Sequence, residues 1–523
     1  MKKTILVAMC VGWLVGLAGA ELSLNGLFTD HMVLQRGQEV PVWGVAEPGA
    51  KITLEFAGQK KMATAKPDGS WRTRLDPMTA SSKARSLTVR SSIKSEQLVL
   101  KNILVGDVWV LTGQSNMARE FRTYAWLMEE LPSLETDEHI RWFKIKSDTT
   151  SDEPTKEIVI DPAFKGSWRE SSLDLLPVFS PAGHFFGIHR YKQNGVPLGL
   201  MYAARGATMA NSWVPRSVLE SRPEYALFLD PEKNNNYKPK NGKPNPLRPV
   251  ALYNGTIHPL IPFGIKGVLW YQGESDSRYA DVYRRLFPDL IRNWRASWGQ
   301  GDFPFVFAQL SSNKDRNWSA AFEPKESSWA WLREAQTFAL DEPNTSMIVA
   351  YDLGEWEDIH PQNKEEVGRR FALAVAAMEG ETVIARGPAY KGHEIRKRRM
   401  LLSFDNARGE LRANEVRMNK NKGLAPGSDS EAFVLPADQL SGFIVCGPDR
   451  VFHEATAVLG PNGNTVIVES PEVAEPVAAR YAWATFALAN LSDQSGLPAL
   501  PFRTDDFPMP ALTAKKKPKK TAE

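Results

Sequence analysis

The residue best placed to carry chemistry is Ser115, which lies in the segment LVGDVWVLTGQSNM. The apolar run from Ile103 to Leu111 predicts a strand, and the small residue Gly113 allows a sharp turn where that strand ends. The turn would leave the serine hydroxyl exposed near the N-terminus of a helix, where free backbone N–H groups can bind a developing oxyanion. A serine there can act as a nucleophile, or it can simply cap the following helix. The local pattern alone leaves both interpretations open.

Five segments, spread over nearly the whole chain, carry a resemblance to a known family. They are LFTDHMVLQRGQEVPVWG, GDVWVLTGQSNM, ALYNGTIHPLIPFGIKGVLWYQGESD, DIHPQNKEEVGRR and RYAWATFALANLSDQSGLPALPFRTDD. In this order they make the chain similar to the long-form sialate O-acetylesterases, which are carbohydrate acetylesterases within the SGNH hydrolases. The resemblance implies a serine esterase that removes acetyl groups from sugars and needs no cofactor.

The same resemblance implies a catalytic set of Ser115 as nucleophile, His360 as its base and Asp358 as the residue that orients the base. A histidine suits this role because it titrates near neutral pH. SGNH hydrolases commonly place an aspartate three residues before the histidine, but Glu357 stands at that position here. Asp358 lies two residues before His360, and residues two apart on an extended segment point to the same side. Glu357, Asp352 and a dyad supported by a backbone carbonyl remain alternatives.

Three donors are implied for the oxyanion hole: the backbone N–H groups of Ser115 and Gly206, and the side-chain amide of Gln272. The family has a pair of glycines before a threonine, and here the second glycine is replaced by Ala207, which makes the turn stiffer. Gln272 lies in the WYQGES block, and a carboxamide there can donate to the tetrahedral intermediate. The alternative is that Gln272 and Glu274 only satisfy backbone groups at a strand end.

The elements that must position these residues fall into three regions. Residues 21–99 contain short strands separated by turns and predict a β-sandwich. Residues 100–385 alternate apolar runs with helical segments, which predicts an α/β domain on a mostly parallel sheet, and the resemblance implies the three-layer α/β/α form. After His360, the spacing of Val367, Phe371 and Val375 predicts a helix with one buried stripe. Residues 386–510 return to the strand pattern and predict a second β-sandwich-like region.

The two ends of the chain predict export and a solvated tail. Residues 1–20 have two lysines, an apolar stretch and a small-residue cleavage site, as in a signal peptide, so a periplasmic or secreted protein is expected. Residues 511–523 are rich in lysine and predict a disordered basic tail. Beyond residue 20, no segment is long and apolar enough to predict a membrane span. Cleavage would leave Cys446 as the only cysteine, which excludes an internal disulfide.

Composition and motifs weigh against several other classes of function. The chain has 64 basic and 61 acidic residues, a balance that gives no electrostatic reason to expect a nucleic-acid partner. The histidines and cysteines lack metal-ligand spacing, so no metal is expected. Trp213, Trp270 and Trp356 lie near the site motifs and could stack on sugar rings, although a place in the core is the more usual one. The pattern does not predict an oligomeric state.

Two functions other than sialate deacetylation also fit the sequence. The first keeps the chemistry and changes the substrate to acetylated xylan or another polysaccharide. The second is a non-catalytic carbohydrate-binding protein, whose hydrolase core would be inert. That second function would be favoured by loss of Ser115, His360 or the oxyanion donors, and none of them is lost.

Overall fold

The computed structural model describes residues 20–232, 234–242, 244–314 and 327–510. The predicted basic tail, residues 511–523, lies outside these ranges, and so does the predicted signal peptide except for Ala20.

The N-terminal region consists of short strands β1 to β6 and two longer strands, β7 and β8. Their bounds are β1 (Ser23–Leu24), β2 (Val33–Gln35), β3 (Val40–Val45), β4 (Lys51–Phe56), β5 (Gln59–Thr64), β6 (Ser70–Leu75), β7 (Ser81–Ser91) and β8 (Gln97–Gly113). Strands β1, β3 and β6 form one antiparallel sheet, and β4 pairs with both β5 and β7. In β4 the apolar residues Ile52, Leu54 and Phe56 alternate with exposed or half-buried ones, so one face of the strand meets the core.

Strand β8 runs without a break from the N-terminal region into the central one. Its first half pairs with β7, and its second half pairs in parallel with two strands of the central sheet. The boundary predicted between residues 99 and 100 therefore falls inside a strand. Burial explains the shift in sequence pattern there, because exposed and half-buried residues alternate up to Asn102 and every residue is buried from Ile103 onward. A strand covered on both faces loses the alternation but continues as a strand.

In its described residues, the central region has six further strands and eight α-helices. The strands are β9 (Ile140–Lys144), β10 (Arg169–Glu170), β11 (Leu198–Ala204), β12 (Gly267–Tyr271), β13 (Phe305–Ala308) and β14 (Thr345–Ile348). The helices are α1 (Ser115–Ala118), α2 (Ala125–Glu130), α3 (Pro181–Asn194), α4 (Arg216–Glu220), α5 (Ala226–Leu229), α6 (Ala280–Trp298), α7 (Ser328–Thr337) and α8 (Lys364–Met378). The strand order is β10-β9-β11-β8-β12-β13-β14. Along this order β10 pairs antiparallel and the other pairs are parallel, so the sheet is mixed.

Helices pack on both faces of this sheet. Val108 and Val110 of β8 belong to one apolar cluster, which includes residues of α6 and α7. Trp109 and Leu111 point the other way into a second cluster with α3 and α8. The predicted stripe Val367, Phe371 and Val375 lies in that second cluster, which confirms the helix expected after His360. The result is an α/β domain whose parallel strands all end at one edge.

The C-terminal region is a β structure, as the sequence pattern predicted. Its strands are β15 (Ala389–Arg396), β16 (Arg399–Asp405), β17 (Arg412–Ala413), β18 (Val416–Met418), β19 (Phe433–Leu435), β20 (Phe443–Cys446), β21 (Phe452–Glu454), β22 (Thr456–Leu459), β23 (Thr465–Glu469), β24 (Ala478–Tyr481), β25 (Leu491–Ser492) and β26 (Phe502–Arg503). Two four-stranded sheets, β15-β16-β23-β22 and β21-β20-β24-β26, share one apolar cluster. Tyr351, from the central region, enters that cluster and its hydroxyl lies 3.0 Å from that of Tyr481.

In the described residues, no helix has the length and hydropathy required to cross a bilayer.

Candidate active site

The predicted site residues follow four strands that end at the same edge of the central sheet. Ser115 comes two residues after β8, Gly206 two after β11, and Gln272 directly after β12. The loop that carries His360 connects β14 to α8. In sheets of this kind ligands bind beyond the carboxyl ends of the strands. The fold thus brings together segments that are up to 245 positions apart in the printed sequence.

The turn at Ser115 is fixed by close contact with the neighbouring strand. Gly113 has φ +120°, and a Cβ there would lie 2.3 Å from the Tyr271 carbonyl oxygen, so only glycine fits. The Gln114 N–H donates to that carbonyl at 2.9 Å. Ser115 is the first residue of α1 and is half-buried. In the ranges described, its hydroxyl makes no hydrogen bond, which leaves it available to a substrate.

His360 is held by Asp358 through two contacts with one carboxylate oxygen. Oδ1 of Asp358 lies 2.8 Å from Nδ1 of the ring and accepts the His360 backbone N–H at 3.0 Å. Arg119 lies 3.7 Å from the other carboxylate oxygen. With Nδ1–H donating to Asp358, the lone pair of Nε2 is free to accept a proton. The side chain of His360 is 19% exposed, so the ring can reach a bound ligand.

The environment favours a neutral ring beside an ionised carboxylate. Burial lowers the pKa of His360 below its usual value, and the charges of Arg119 and Lys364 lower it further against the effect of Asp358. Burial alone would raise the pKa of Asp358, but the hydrogen bonds from His360 and the charge of Arg119 leave that pKa lowered. Near neutral pH this is the protonation pattern that a general base requires.

The two alternative carboxylates are engaged elsewhere. Glu357 is exposed and pairs loosely with Lys314 at 3.8 Å. Asp352 receives two hydrogen bonds from Arg370, at 2.7 and 2.6 Å. Asp358 is therefore the carboxylate that the geometry offers to His360.

A direct link joins the serine segment to the histidine segment. Nδ2 of Asn116, the residue after Ser115, donates to the carbonyl oxygen of Ile359, the residue before His360, at 3.1 Å. Within the described parts of the chain, no hydrogen bond joins the Ser115 hydroxyl to the His360 ring. Hydrogen bonds of this type often tighten only when substrate is bound.

Two of the three predicted oxyanion donors lie together. A Cβ placed on Gly206 would be 3.6 Å from Cβ of Ser115, so the two residues are neighbours. The first N–H groups of a helix have no partner within it, and Ser115 begins α1. Ala207, which replaces a family glycine, has φ +62°, in the left-handed region that favours glycine.

The third predicted donor, Gln272, does not have a free N–H in this structure. Its Nε2 donates to the Thr208 carbonyl oxygen at 2.9 Å and to Oδ2 of Asp276, and its Oε1 accepts from the Tyr283 hydroxyl at 3.1 Å. The side chain is 0% exposed. The prediction that Gln272 donates to an oxyanion is therefore corrected: both amide hydrogens are used, and the residue holds the loop that contains Gly206 and Thr208. The other interpretation of the sequence, satisfaction of backbone groups, fits better.

Sequence reasoning missed the buried polar residues behind the site. They are Asn116, Glu355 and Lys364. Glu274 belongs with them, because the sequence indicated only a structural role for it. Lys364 is 0% exposed, although lysine side chains almost never are. One signal was available in the sequence: Lys364 falls at the start of a predicted helix, where the helix dipole disfavours a cation.

The three tryptophans considered for stacking on sugar rings lie in different surroundings. Trp213 and Trp270 are 0% exposed and belong to the core, as is usual for tryptophan near a strand end. Trp356 is partly exposed and packs against Phe433 and Phe486 of the C-terminal region. Among the residues with described positions, no group of three or more His, Cys, Asp or Glu side chains is arranged to hold a metal ion.

Comparison with known proteins shows what the chain is similar to. The family described as carbohydrate esterase, sialic acid-specific acetylesterase, matches residues 105–377. The sialate O-acetylesterase of Mus musculus is 29% identical over 542 residues, covering 93% of this chain and 94% of its own. That of Homo sapiens is 28% identical over 397 residues, covering 71% and 74%. The crystal structure of a carbohydrate acetylesterase from Xanthomonas citri superimposes with a TM-score of 0.77 at 31% identity, covering 93% of this chain and all of that one.

Fold, site and relatives together define a carboxylic ester hydrolase. The family match spans more than half of the chain. The chain belongs to the sialic acid-specific acetylesterase family of carbohydrate esterases, which confirms the family that its motifs predicted.

Proposed function

We propose that this protein removes O-acetyl groups from sugars, with Ser115 as nucleophile, His360 as general base and Asp358 as the residue that orients the base. The observation that carries the proposal is the 2.8 Å contact between Asp358 and Nδ1 of His360, at the sheet edge where Ser115 begins α1. This contact leaves Nε2 as the proton acceptor, which is the arrangement of a serine hydrolase.

The reaction proceeds in two steps through an acyl-enzyme. His360 takes the proton of the Ser115 hydroxyl while the serine oxygen attacks the acetyl carbonyl carbon. The tetrahedral intermediate collapses, the bond to the sugar oxygen breaks, and His360 returns the proton to that oxygen. Water, deprotonated by His360, then attacks the acetyl-serine, and acetate leaves as Ser115 regains its proton. The charge on the intermediate is stabilised by the N–H groups of Ser115 and Gly206.

The fold supports placing the chain among the SGNH hydrolases of the three-layer type. Parallel pairing from β9 to β14 and helices on both faces of the sheet are features expected of that type. Ser115 follows β8 and His360 precedes α8, and this arrangement of the two residues supports the placement.

The acetylated sugar is proposed to be a sialic acid. The curated relatives from mouse and human carry the name sialate O-acetylesterase, and both align over more than two thirds of this chain. The Xanthomonas citri relative is named only as a carbohydrate acetylesterase, so an acetylated xylan or another polysaccharide is the competing substrate. Acetate release from 9-O-acetyl sialic acid and from acetylated xylan, measured on the same preparation, discriminates between them.

The test of the chemistry is hydrolysis of p-nitrophenyl acetate by the wild type and by Ser115→Ala. We expect the variant to lose at least about 1000-fold in kcat/KM, because the nucleophile is removed. Ser428→Ala, in an exposed turn of the C-terminal region, is the matched control and should retain wild-type activity. Equal rates for the wild type and Ser115→Ala would overturn the mechanism and favour a non-catalytic carbohydrate-binding protein.

The protein is further proposed to act outside the cytoplasm, after removal of residues 1–20. The support is the sequence of that segment, with its two lysines, apolar stretch and Ala18-Gly19-Ala20 site. N-terminal sequencing of protein recovered from the periplasm or the medium, starting at Glu21, would support the proposal; recovery from the cytoplasm with an intact N-terminus would contradict it.

A further inference from the structure

A buried polar cluster lies directly behind the nucleophile and the base. Nδ2 of Asn116 donates both to Oε1 of Glu274 and to the carbonyl oxygen of Ile359. Oδ1 of Asn116 accepts from Nζ of Lys364 at 2.7 Å. The amide thus joins three segments: the start of α1, the loop after β12 and the loop that leads into α8.

The cluster is closed to solvent, which makes its charges costly. Lys364 is 0% exposed, Asn116 1% and Glu274 7%. Oε2 of Glu274 has no hydrogen-bond partner among the described residues. Burying ions in this way costs more than a well-packed apolar alternative would. Stability alone therefore does not account for these residues, and a role in the neighbouring site does.

The ammonium group of Lys364 is stabilised by neighbouring side chains, whereas its place in the helix is unfavourable for a cation. As the first residue of α8 it stands where the helix dipole disfavours a cation. Its Nζ lies 5.3 Å from the ring centre of Tyr271 and 5.9 Å from that of Tyr124, distances at which an aromatic face attracts a cation. Together with the Asn116 oxygen, the two rings fix the ammonium group in one position.

We infer that Lys364 and Asn116 are positioning residues that hold the Ser115 turn and the His360 loop at a fixed separation. Lys364 orients the amide, because an Oδ1 directed at the ammonium leaves Nδ2 to reach Ile359. The Lys364 charge has a second effect, since it opposes protonation of the His360 ring. The inference rests on the proposed function, in which Ser115 and His360 react with one another.

The charges around Lys364 come from several elements. Those that face it are Glu274, Arg119, Asp358 and Glu355. Burial lowers the pKa of Lys364 to about 7, so its ammonium is charged in the acidic range where His360 titrates. Arg119 and Asp358 also face the His360 ring, with opposite effects on its pKa.

The experiment compares the pH dependence of p-nitrophenyl acetate hydrolysis in the full-length wild type and in Lys364→Met, which has a similar shape without the charge. We expect kcat to fall about 10- to 100-fold with KM within about twofold, because a misplacement near 1 Å costs that much. We also expect the acid limb of kcat/KM to move up by at least about 0.3 pH units, because a nearby positive charge is lost. Rehydration of a loosened site would move the limb in the same direction, because burial lowers the pKa of His360. The shift is therefore assigned to the lost charge only if Asn116→Ala, which breaks the same link and keeps that charge, leaves the limb in place.

Asn116→Ala provides a second, independent arm if Lys364→Met does not fold. It breaks the same link and keeps the lysine charge, so kcat should fall similarly while the acid limb stays in place. Glu365→Gln is the control, since Glu365 is exposed on the same turn of α8 and should behave as wild type. A folded Lys364→Met with wild-type kcat and an unmoved acid limb, or Asn116→Ala with kcat within about threefold of wild type, overturns the inference and leaves the proposed function intact. An inactive wild type would instead overturn the proposed function, and the inference with it.

Discussion

At the scale of single residues, the site depends on which carboxylate contacts His360. Asp358 makes the 2.8 Å contact with Nδ1, whereas Glu357, one position earlier, points to solvent and toward Lys314. The sequence favoured Asp358 and left Glu357 and Asp352 as alternatives. The choice depends on the course of the loop before α8, which is set by tertiary contacts and not by local pattern.

Exchange of Asp358 for Asn tests this assignment. We expect Asp358→Asn to lower kcat by about 1000-fold or more, because the amide no longer holds the ring in the productive tautomer. Glu357→Gln is the matched control one residue away and should remain within about twofold of wild type. The measurement is kcat for p-nitrophenyl acetate, with circular dichroism to verify folding. Comparable losses in the two variants would mean that Asp358 has no special role.

The acid limb of the wild-type pH profile follows from the burial of His360. Its pKa is lowered from the usual value of 6.5, chiefly by desolvation. Only the neutral ring can accept the serine proton, so kcat/KM should be full above that lowered pKa and fall as the pH drops through it. We expect the midpoint of the acid limb in kcat/KM to lie below 6.5. A midpoint above that value would show that the Asp358 carboxylate outweighs desolvation.

Residue types and motifs predicted the positions of most site residues but not the hydrogen bonds between them. Ser115, Gly206 and His360 were predicted from motif positions, and the fold brings their segments to one edge. The sequence offered two roles for Gln272 and favoured the wrong one, because its amide hydrogens are bound by Thr208 and Asp276, whose positions only the folded chain fixes. Lys364 was missed for the same reason.

At the scale of elements, the turn between β8 and α1 is the most constrained. We expect Gly113→Ala to destabilise the fold by more than about 2 kcal/mol and to abolish activity, because its Cβ would lie 2.3 Å from the Tyr271 carbonyl oxygen at a φ of +120°. Gly206→Ala is the matched control for stability, since its Cβ would meet Ser115 at an ordinary 3.6 Å. Thermal unfolding of both variants is the measurement. Equal melting temperatures would mean that the turn relaxes without cost.

Helices and strands with clear periodicity were the easiest elements to predict. The stripe on α8 needs only spacing, and the strands of the C-terminal region need only alternation and turns. The boundary between the N-terminal and central regions was harder to predict. The pattern changes at Ile103, inside β8, because the strand passes from one half-buried face to two buried faces.

At the scale of the whole molecule, one arginine ties the central region to the C-terminal one. Arg333 of α7 is 0% exposed and donates to the carbonyl oxygens of Leu310 and Ser311 on one side and of Ala484 and Thr485 on the other. Each of these carbonyl groups is a backbone acceptor that needs a partner when buried. The C-terminal sheets are therefore fixed against the edge of the sheet that carries the site.

Replacement of this arginine should weaken the whole protein. We expect Arg333→Met to destabilise the fold by about 3 kcal/mol or more, because it leaves several buried acceptors unpaired. Arg216→Met, at a side chain that is 62% exposed, should change stability by less than about 0.5 kcal/mol. Urea unfolding followed by tryptophan fluorescence is the measurement. A similar midpoint for both variants would show that water replaces the lost donors.

The uninterrupted strand β8 also bears on how this architecture can be recombined between relatives. A chimera joined near position 99 would cut across the ladder between β7 and β8, and the far end of β8 lies two residues before Ser115. A slip of one residue at such a junction would turn every following side chain to the opposite face of the sheet and the nucleophile with it. Strands β2, β7 and β8 should consequently come from the same parent protein in a chimera. Chimeras that keep these three strands together are the ones expected to retain activity.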